Sequence, residues 1–323
     1  MAQRLAVLAG TVAASVLATY RCHRNTHANR KRVCIRRTKP TKVILVVVAM
    51  EVELQAILRV PAAWNTVQIA GGYELFVCES CQQQLDFLES VGKNEEVAGA
   101  EKTTVIGVVQ SGIGNVAGAL AAQAVMLGWG RKIDAVVSLG VAGALQSDLL
   151  PGDVMLATRI LKHDCKCSSS ESESELMRPG ELWVSNPDRH LIDPGICLDE
   201  ELVSHTLALF RKAKMHIRVG TLASGDEFVM SIASLELRER KIAQQHQQSS
   251  VGAILMVDME SGGIVQAVHR MKTSFVAIRT VADTLKPKDG IEDSYKCFKE
   301  VAAKVAATYV RLLMEESGAT KIT

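Results

Sequence analysis

Acidic residues are missing from the first 42 positions of this 323-residue chain. Ten Lys and Arg stand there, and the first acid is Glu51. The remainder holds 27 basic against 35 acidic residues, a net of −8 that the overall +2 conceals. Positive charge confined to one end excludes a folded basic face of the kind that coats nucleic acid. Proline is scarce, at 7, and aromatic residues make up only 4%. With 48% hydrophobic and 22% charged residues, positions 43–323 have the composition of a large globular domain and not of a disordered chain.

Other absences narrow the chemistry. The eight cysteines (Cys22, Cys34, Cys78, Cys81, Cys165, Cys167, Cys197 and Cys297) are scattered through a long apolar chain that has no need of disulfide staples. The pair Cys78 and Cys81 forms one CxxC with no second to complete a zinc site, so reduced thiols in a reducing compartment are expected. The eight histidines are dispersed and build no metal set with the acids collected below, and no cofactor is implied. Neither a GxSxG nucleophile elbow nor a Walker loop occurs.

At the amino terminus, residues 5–20 are sixteen mostly small apolar residues, followed at once by nine basic ones. The run is short of the roughly 20 residues that span a bilayer untilted. A secretory signal carries its charge before the apolar run, the reverse of the order here. The basic residues that follow would hold the body on the cytosolic side of a membrane, and an acid-free, arginine-rich segment also suits a mitochondrial presequence. Residues 1–42 are therefore expected to target or anchor the chain, with membrane contact through residues 5–20. A mitochondrial or membrane-anchored location follows, the alternative being a disordered tail on a cytoplasmic protein.

From residue 43 the pattern alternates strand and helix. The β-branched run at 43–49 reads as a strand buried on both faces, with a helix from Glu51. A hairpin turning at Gly71-Gly72 follows, then a polar loop at 82–101. Strands are predicted at 103–110, 134–140 (ending in a glycine loop), 153–160, 217–224, 251–257 and 273–279. Helices are predicted at 115–129, 199–213, 231–247, 259–271 and 291–316. A Ser/Glu-rich stretch at about 165–188 reads as a low-complexity loop. The fold class is α/β: a single three-layer domain, its central mixed β-sheet flanked by helices.

Ligands of open α/β folds sit at the carboxyl ends of strands. The polar residues there are Glu51 and Glu53, Ser111-Gly112-Ile113-Gly114, the glycine segment after Ser138, Ser224 to Phe228, Asp258 to Ser261, and Arg279 to Asp283. Asp258 or Glu51 taken singly is equally well explained as a helix cap. Glu53, Glu260 and Asp283 converging on one pocket point instead to acid/base chemistry on an uncharged or cationic small molecule, as in glycosidic cleavage.

These segments carry a resemblance. AMEVE (49–53), SGIGNVAGA (111–119), LGVAGAL (139–145), LPGDV (150–154), KHD (162–164), SGDEF (224–228), VDMES (257–261) and IRTVAD (278–283) together resemble the 5′-methylthioadenosine/S-adenosylhomocysteine nucleosidases of the purine nucleoside phosphorylase superfamily. The resemblance implies a hydrolase that releases adenine from 5′-methylthioadenosine or a relative, a nucleoside phosphorylase-like fold, a homodimer, and a place in methionine salvage. By the same resemblance Asp283 protonates adenine N7, Glu53 activates water and Glu260 grips the ribose hydroxyls. Arg279 helps hold the water, Met50 and Met259 pack on the sugar and 5′ substituent, and Phe228 and Val229 border the purine. Val141, in the glycine segment, stands where the family carries Ser or Thr, and Ala282 does the same before Asp283. The Ser/Glu-rich stretch replaces apolar residues that line the family's 5′ pocket. Two carboxylates in the first loop repel a phosphate nucleophile by a few kcal/mol at short range, which favours water. A phosphorylase and a non-catalytic nucleoside-binding relative remain the alternatives.

Overall fold

A computed structural model describes residues 42–80, 104–164, 196–228, 253–283 and 291–316. The predicted loop at 82–101, the Ser/Glu-rich stretch, the predicted helix at 231–247 and the amino-terminal segment lie outside these residues. Among the described residues no helix is long and apolar enough to cross a membrane.

Ten strands are described: β1 (Lys42–Val48), β2 (Asn65–Ile69), β3 (Tyr73–Ser80), β4 (Thr104–Gln110), β5 (Ala135–Ala144), β6 (Val154–Lys162), β7 (Ile196–Cys197), β8 (Arg218–Ser224), β9 (Ile254–Asp258) and β10 (Ser274–Asp283). Five helices accompany them: α1 (Glu51–Leu58), α2 (Asn115–Gly128), α3 (Glu200–Lys212), α4 (Ser261–Arg270) and α5 (Ile291–Glu316). All strands join one mixed sheet. β2 and β3 form the predicted hairpin through positive-φ turns at Gly71 and Gly72, β3 runs antiparallel to β4, and β4 is parallel to β1. β1 then lies parallel to β5. Beyond β5 the sheet closes on itself, because β5 pairs β10, β10 pairs β6, β6 pairs β8, β8 pairs β9, and β9 returns to β5.

That closure corrects one expectation. Residues 140–143 were expected to leave the strand as a glycine loop, yet β5 runs on to Ala144. Its first half, Ala135 to Leu139, pairs β1; past Gly140 the backbone is held by β10 along one edge, and Gly143 and Ala144 pair β9 on the other. Tertiary partners supply the ladder bonds that the local glycine content disfavours. For the same reason β10 extends to Asp283, four residues past its predicted end.

The alternation along β1 shows why the sheet is covered on both faces. Val43, Leu45 and Val47 belong to one buried cluster with residues of α2 and α4. Ile44, Val46 and Val48 belong to the other, with α1, α3 and α5. In the second cluster Phe210 of α3 stacks on Tyr309 of α5 at 5.5 Å between ring centroids. α1 docks there through Leu54 and Ile57, each buried, and full burial of such a side chain is worth about 1.5–3 kcal/mol. This short helix is therefore anchored by its packing and presents its first turn at the open end of β1.

Candidate active site

Glu53 is the third residue of α1, and its side chain folds back over the helix start. Oε2 accepts the backbone N–H groups of Met50 at 3.0 Å and Ala49 at 3.1 Å, the carboxylate half of a capping box. The residue is 0% exposed. Oε1 has no hydrogen-bond partner of good geometry. It faces Gly140, where an added Cβ would stand 3.2 Å from Oε1 and 3.7 Å from a terminal nitrogen of Arg279. Burial pushes the Glu53 carboxyl up from 4.5 to about 7, against the downward pull of the Met50 N–H, the Arg279 charge and the N–H groups of Ala49 and Val141.

Arg279 lies in β10 opposite Gly140 and is itself fully buried. Nε donates to Asp258 Oδ2 at 2.7 Å, one terminal nitrogen donates to the Ile278 carbonyl, and the other donates to Ser138 Oγ and Ser261 Oγ at 2.7 and 2.8 Å. Four of its five N–H groups are thus committed within the protein. Asp258, at the end of β9, also accepts the Ser261 N–H at the start of α4, so it is both helix cap and counter-ion. The cap was legible in the sequence and the ion pair was not. Ser138 was missed altogether; its signal is a lone hydroxyl inside the apolar strand AVVSL.

Glu260 stands at the N-cap position of the same helix, with no side-chain cap bond, and is buried. Its Oε1 accepts the Gly114 N–H at 3.2 Å, at the end of a glycine loop in which Gly112 and Gly114 both take positive φ. Burial first, then the nearby Asp258 charge, pushes Glu260 up from 4.5 to about 7, with Glu53 adding to the rise and Arg279 and Gly114 opposing it. Burial thus raises both acids, and the charge of one buried arginine opposes the rise in each.

The remaining predicted residues distribute as follows. Met50, Val141 and Met259 are half-buried, Met50 and Met259 standing shortly before Glu53 and Glu260 in the chain and Val141 following Gly140. Phe228 is 52% exposed, so it is not a core residue and its ring is available for a ligand. The backbone of Asp283 pairs Gly143 beyond a register shift at Val281, at the far end of the same strand as Arg279; its side chain, and Val229 entirely, lie outside the described residues. Cys78 is a buried thiol. Among the described residues no group of three or more His, Cys, Asp or Glu is arranged to hold a metal ion. What the described part offers is two buried carboxyls, a fixed buried cation whose charge acts on both, and an exposed aromatic ring.

Residues 43–315 match the family described as the phosphorylase superfamily. A 5′-methylthioadenosine/S-adenosylhomocysteine nucleosidase from Staphylococcus epidermidis is 28% identical over 208 residues, covering 64% of this chain and 80% of that protein. Among solved structures, the nucleosidase of the same name from Helicobacter pylori has a TM-score of 0.65 at 21% identity, covering 86% of this chain and all of that one. The futalosine hydrolase of Helicobacter pylori has a TM-score of 0.64 at 20% identity, covering 85% and 98%. At these identities the structural likenesses establish the fold.

Proposed function

The chain belongs to the phosphorylase superfamily, and from that premise we propose that it hydrolyses the N-glycosidic bond of a 5′-substituted adenine nucleoside such as 5′-methylthioadenosine or S-adenosylhomocysteine. The observation that carries the reading is Glu53, a fully buried carboxyl raised to about 7, whose Oε1 has no hydrogen-bond partner of good geometry and faces Gly140. A general base works best when its pKa lies near the working pH. A water at that oxygen would give its proton to Glu53 as it attacks C1′. Glu260 would accept the ribose hydroxyls and favour the positive charge that grows on the sugar, and Asp283 would donate a proton to adenine N7 as the bond breaks. Phe228 would cover the base, with Met50, Val141 and Met259 against the sugar.

Water is favoured over phosphate because the cation that an anionic nucleophile needs is already engaged. Four of the five N–H groups of Arg279 are committed to Asp258, Ser138, Ser261 and the Ile278 carbonyl, and its charge already acts on the carboxyls of Glu53 and Glu260. The chain is also proposed to act as a homodimer. Val116, Leu120 and Leu127 form an exposed apolar strip along α2, continued by Ile113 of the glycine loop, and an exposed strip of this kind is usually covered by a partner.

The test is incubation with 5′-methylthioadenosine with and without phosphate, following free adenine. Equal release in both conditions, with free 5-methylthioribose as co-product, is expected. Strict dependence on phosphate would make the protein a phosphorylase. Stoichiometric binding without release would make it a nucleoside-binding relative.

A further inference from the structure

Two segments that carry proposed substrate contacts meet at one buried amide. Asn115 is the first residue of α2, directly after the glycine loop, and is almost fully enclosed. Its Oδ1 accepts the Gly263 N–H at 2.6 Å and the Ser224 hydroxyl at 3.3 Å. Its Nδ2 and its backbone N–H both donate to Asp226 Oδ1, at 3.2 and 2.9 Å. Ser224 Oγ in turn accepts the Gly262 N–H at 2.8 Å. One side chain therefore ties the start of α4, which follows Glu260, to the segment after β8, which bears Phe228.

The approach is too close for ordinary side chains. A Cβ at Gly263 would stand 1.9 Å from the Asn115 carbonyl oxygen, and one at Gly262 would stand 2.8 Å from Asn115 Oδ1. The chemistry is equally demanding. The position needs an acceptor toward an N–H and a hydroxyl, and a donor toward a carboxylate, which an amide supplies from two separate atoms of one short side chain. An aspartate would lose the donor and set its charge against Asp226. The far side of the same loop is held independently, by Asp164 Oδ2 accepting the Asp226 N–H at 2.5 Å and by Lys162 Nζ at 3.7 Å from Asp226 Oδ2.

We propose that Asn115 is a positioning residue that sets the spacing between the base-side loop and the ribose-side carboxylate. This rests on the hydrolase reading above. A ligand that touches one side alone, such as free adenine, gains little from the spacing. A nucleoside that must meet both sides, in the geometry of bond cleavage, depends on it.

The experiment compares wild type with Asn115→Leu, Asn115→Asp and the exchanged pair Asn115→Asp with Asp226→Asn, in which donor and acceptor trade places. The readouts are kcat and KM for 5′-methylthioadenosine, inhibition by free adenine, and hydrogen exchange at the Gly263 and Asn115 amides without ligand. Asn115→Leu and Asn115→Asp should each lower kcat at least tenfold while adenine inhibition changes less than about threefold. The exchanged pair should restore most of kcat and the amide protection. Turnover within twofold of wild type in Asn115→Leu, or equal losses in kcat and adenine affinity with no recovery in the pair, would overturn the proposal. Unaltered amide exchange in both single variants would overturn the clamp itself, and that readout does not depend on turnover. Absence of adenine release by wild type would instead sink the hydrolase reading.

Discussion

Arg279 Nε and Asp258 Oδ2 lie 2.7 Å apart with both side chains removed from solvent. An isolated buried charge is costly, and a pair repays that cost only when its other hydrogen bonds are satisfied. Here they are, by Ser138, Ser261 and the Ile278 carbonyl on the arginine and by the Ser261 N–H on the aspartate. The guanidinium is consequently a fixed charge that acts on Glu53 and Glu260 without moving toward either.

Removing one partner of this pair should be far worse than its share of contacts suggests. Asp258→Ala is expected to destabilise the protein by about 3–5 kcal/mol, the range for stranding a buried charge. It should also lower turnover, because the freed arginine can turn toward the two glutamates. Urea denaturation with the wild type alongside measures the first effect and adenine release the second. A change below about 1 kcal/mol would show that Arg279 finds other compensation.

Glu53→Gln keeps the hydrogen-bonding shape and removes the base. Adenine release should fall by about two to four orders of magnitude, the usual worth of general base catalysis. In wild type, kcat/KM should rise with pH through an inflection near 7, because the ionised form accepts the proton. Near-normal turnover in the variant would remove Glu53 from the mechanism.

Stability should respond to pH in the opposite sense. A carboxyl raised from 4.5 to about 7 binds its proton more tightly folded than unfolded. Its contribution is full below about pH 4.5 and is lost as pH climbs toward 7, by up to about 3 kcal/mol. Glu260 acts in the same direction. Melting temperature measured without ligand between pH 4.5 and 7.5 should therefore decline, with a shallower decline in Glu53→Gln. An unchanged slope in the variant would contradict the burial argument.

Gly140 takes no unusual φ, so its role is space. An alanine there would bring Cβ to 3.2 Å from Glu53 Oε1, tighter than an ordinary contact, and would fill the gap assigned to water. Gly140→Ala is expected to lower kcat by about tenfold or more with a smaller change in substrate affinity, since the loss falls on positioning of the nucleophile. A variant with unaltered kcat would place the water elsewhere.

Residues 1–42 are proposed to address or anchor the chain. Fused ahead of a fluorescent protein, they should carry it to mitochondria or to a membrane fraction. Diffuse fluorescence would favour the disordered-tail alternative.

The elements most legible in the sequence were those set by local pattern. The β-branched run of β1, the Gly71-Gly72 hairpin and the long amphipathic α5 follow from side-chain period and turn chemistry alone. Glu53, Glu260 and Arg279 were legible because each ends an apolar run, where an α/β sheet exposes its strand ends. The continuation of β5 through Gly140 to Ala144 was not, because it depends on ladder bonds from β10 and β9, strands more than a hundred residues away in the chain. The same holds for Asn115, whose four hydrogen bonds reach three residues in two distant segments, and for the closing of the sheet upon itself. Local composition determines which residues can form a strand, a cap or a buried face. Which of two compatible conformations is taken, and which acid meets which cation, is decided by tertiary partners, since hydrogen bonds and charges act across space and leave no period in the sequence.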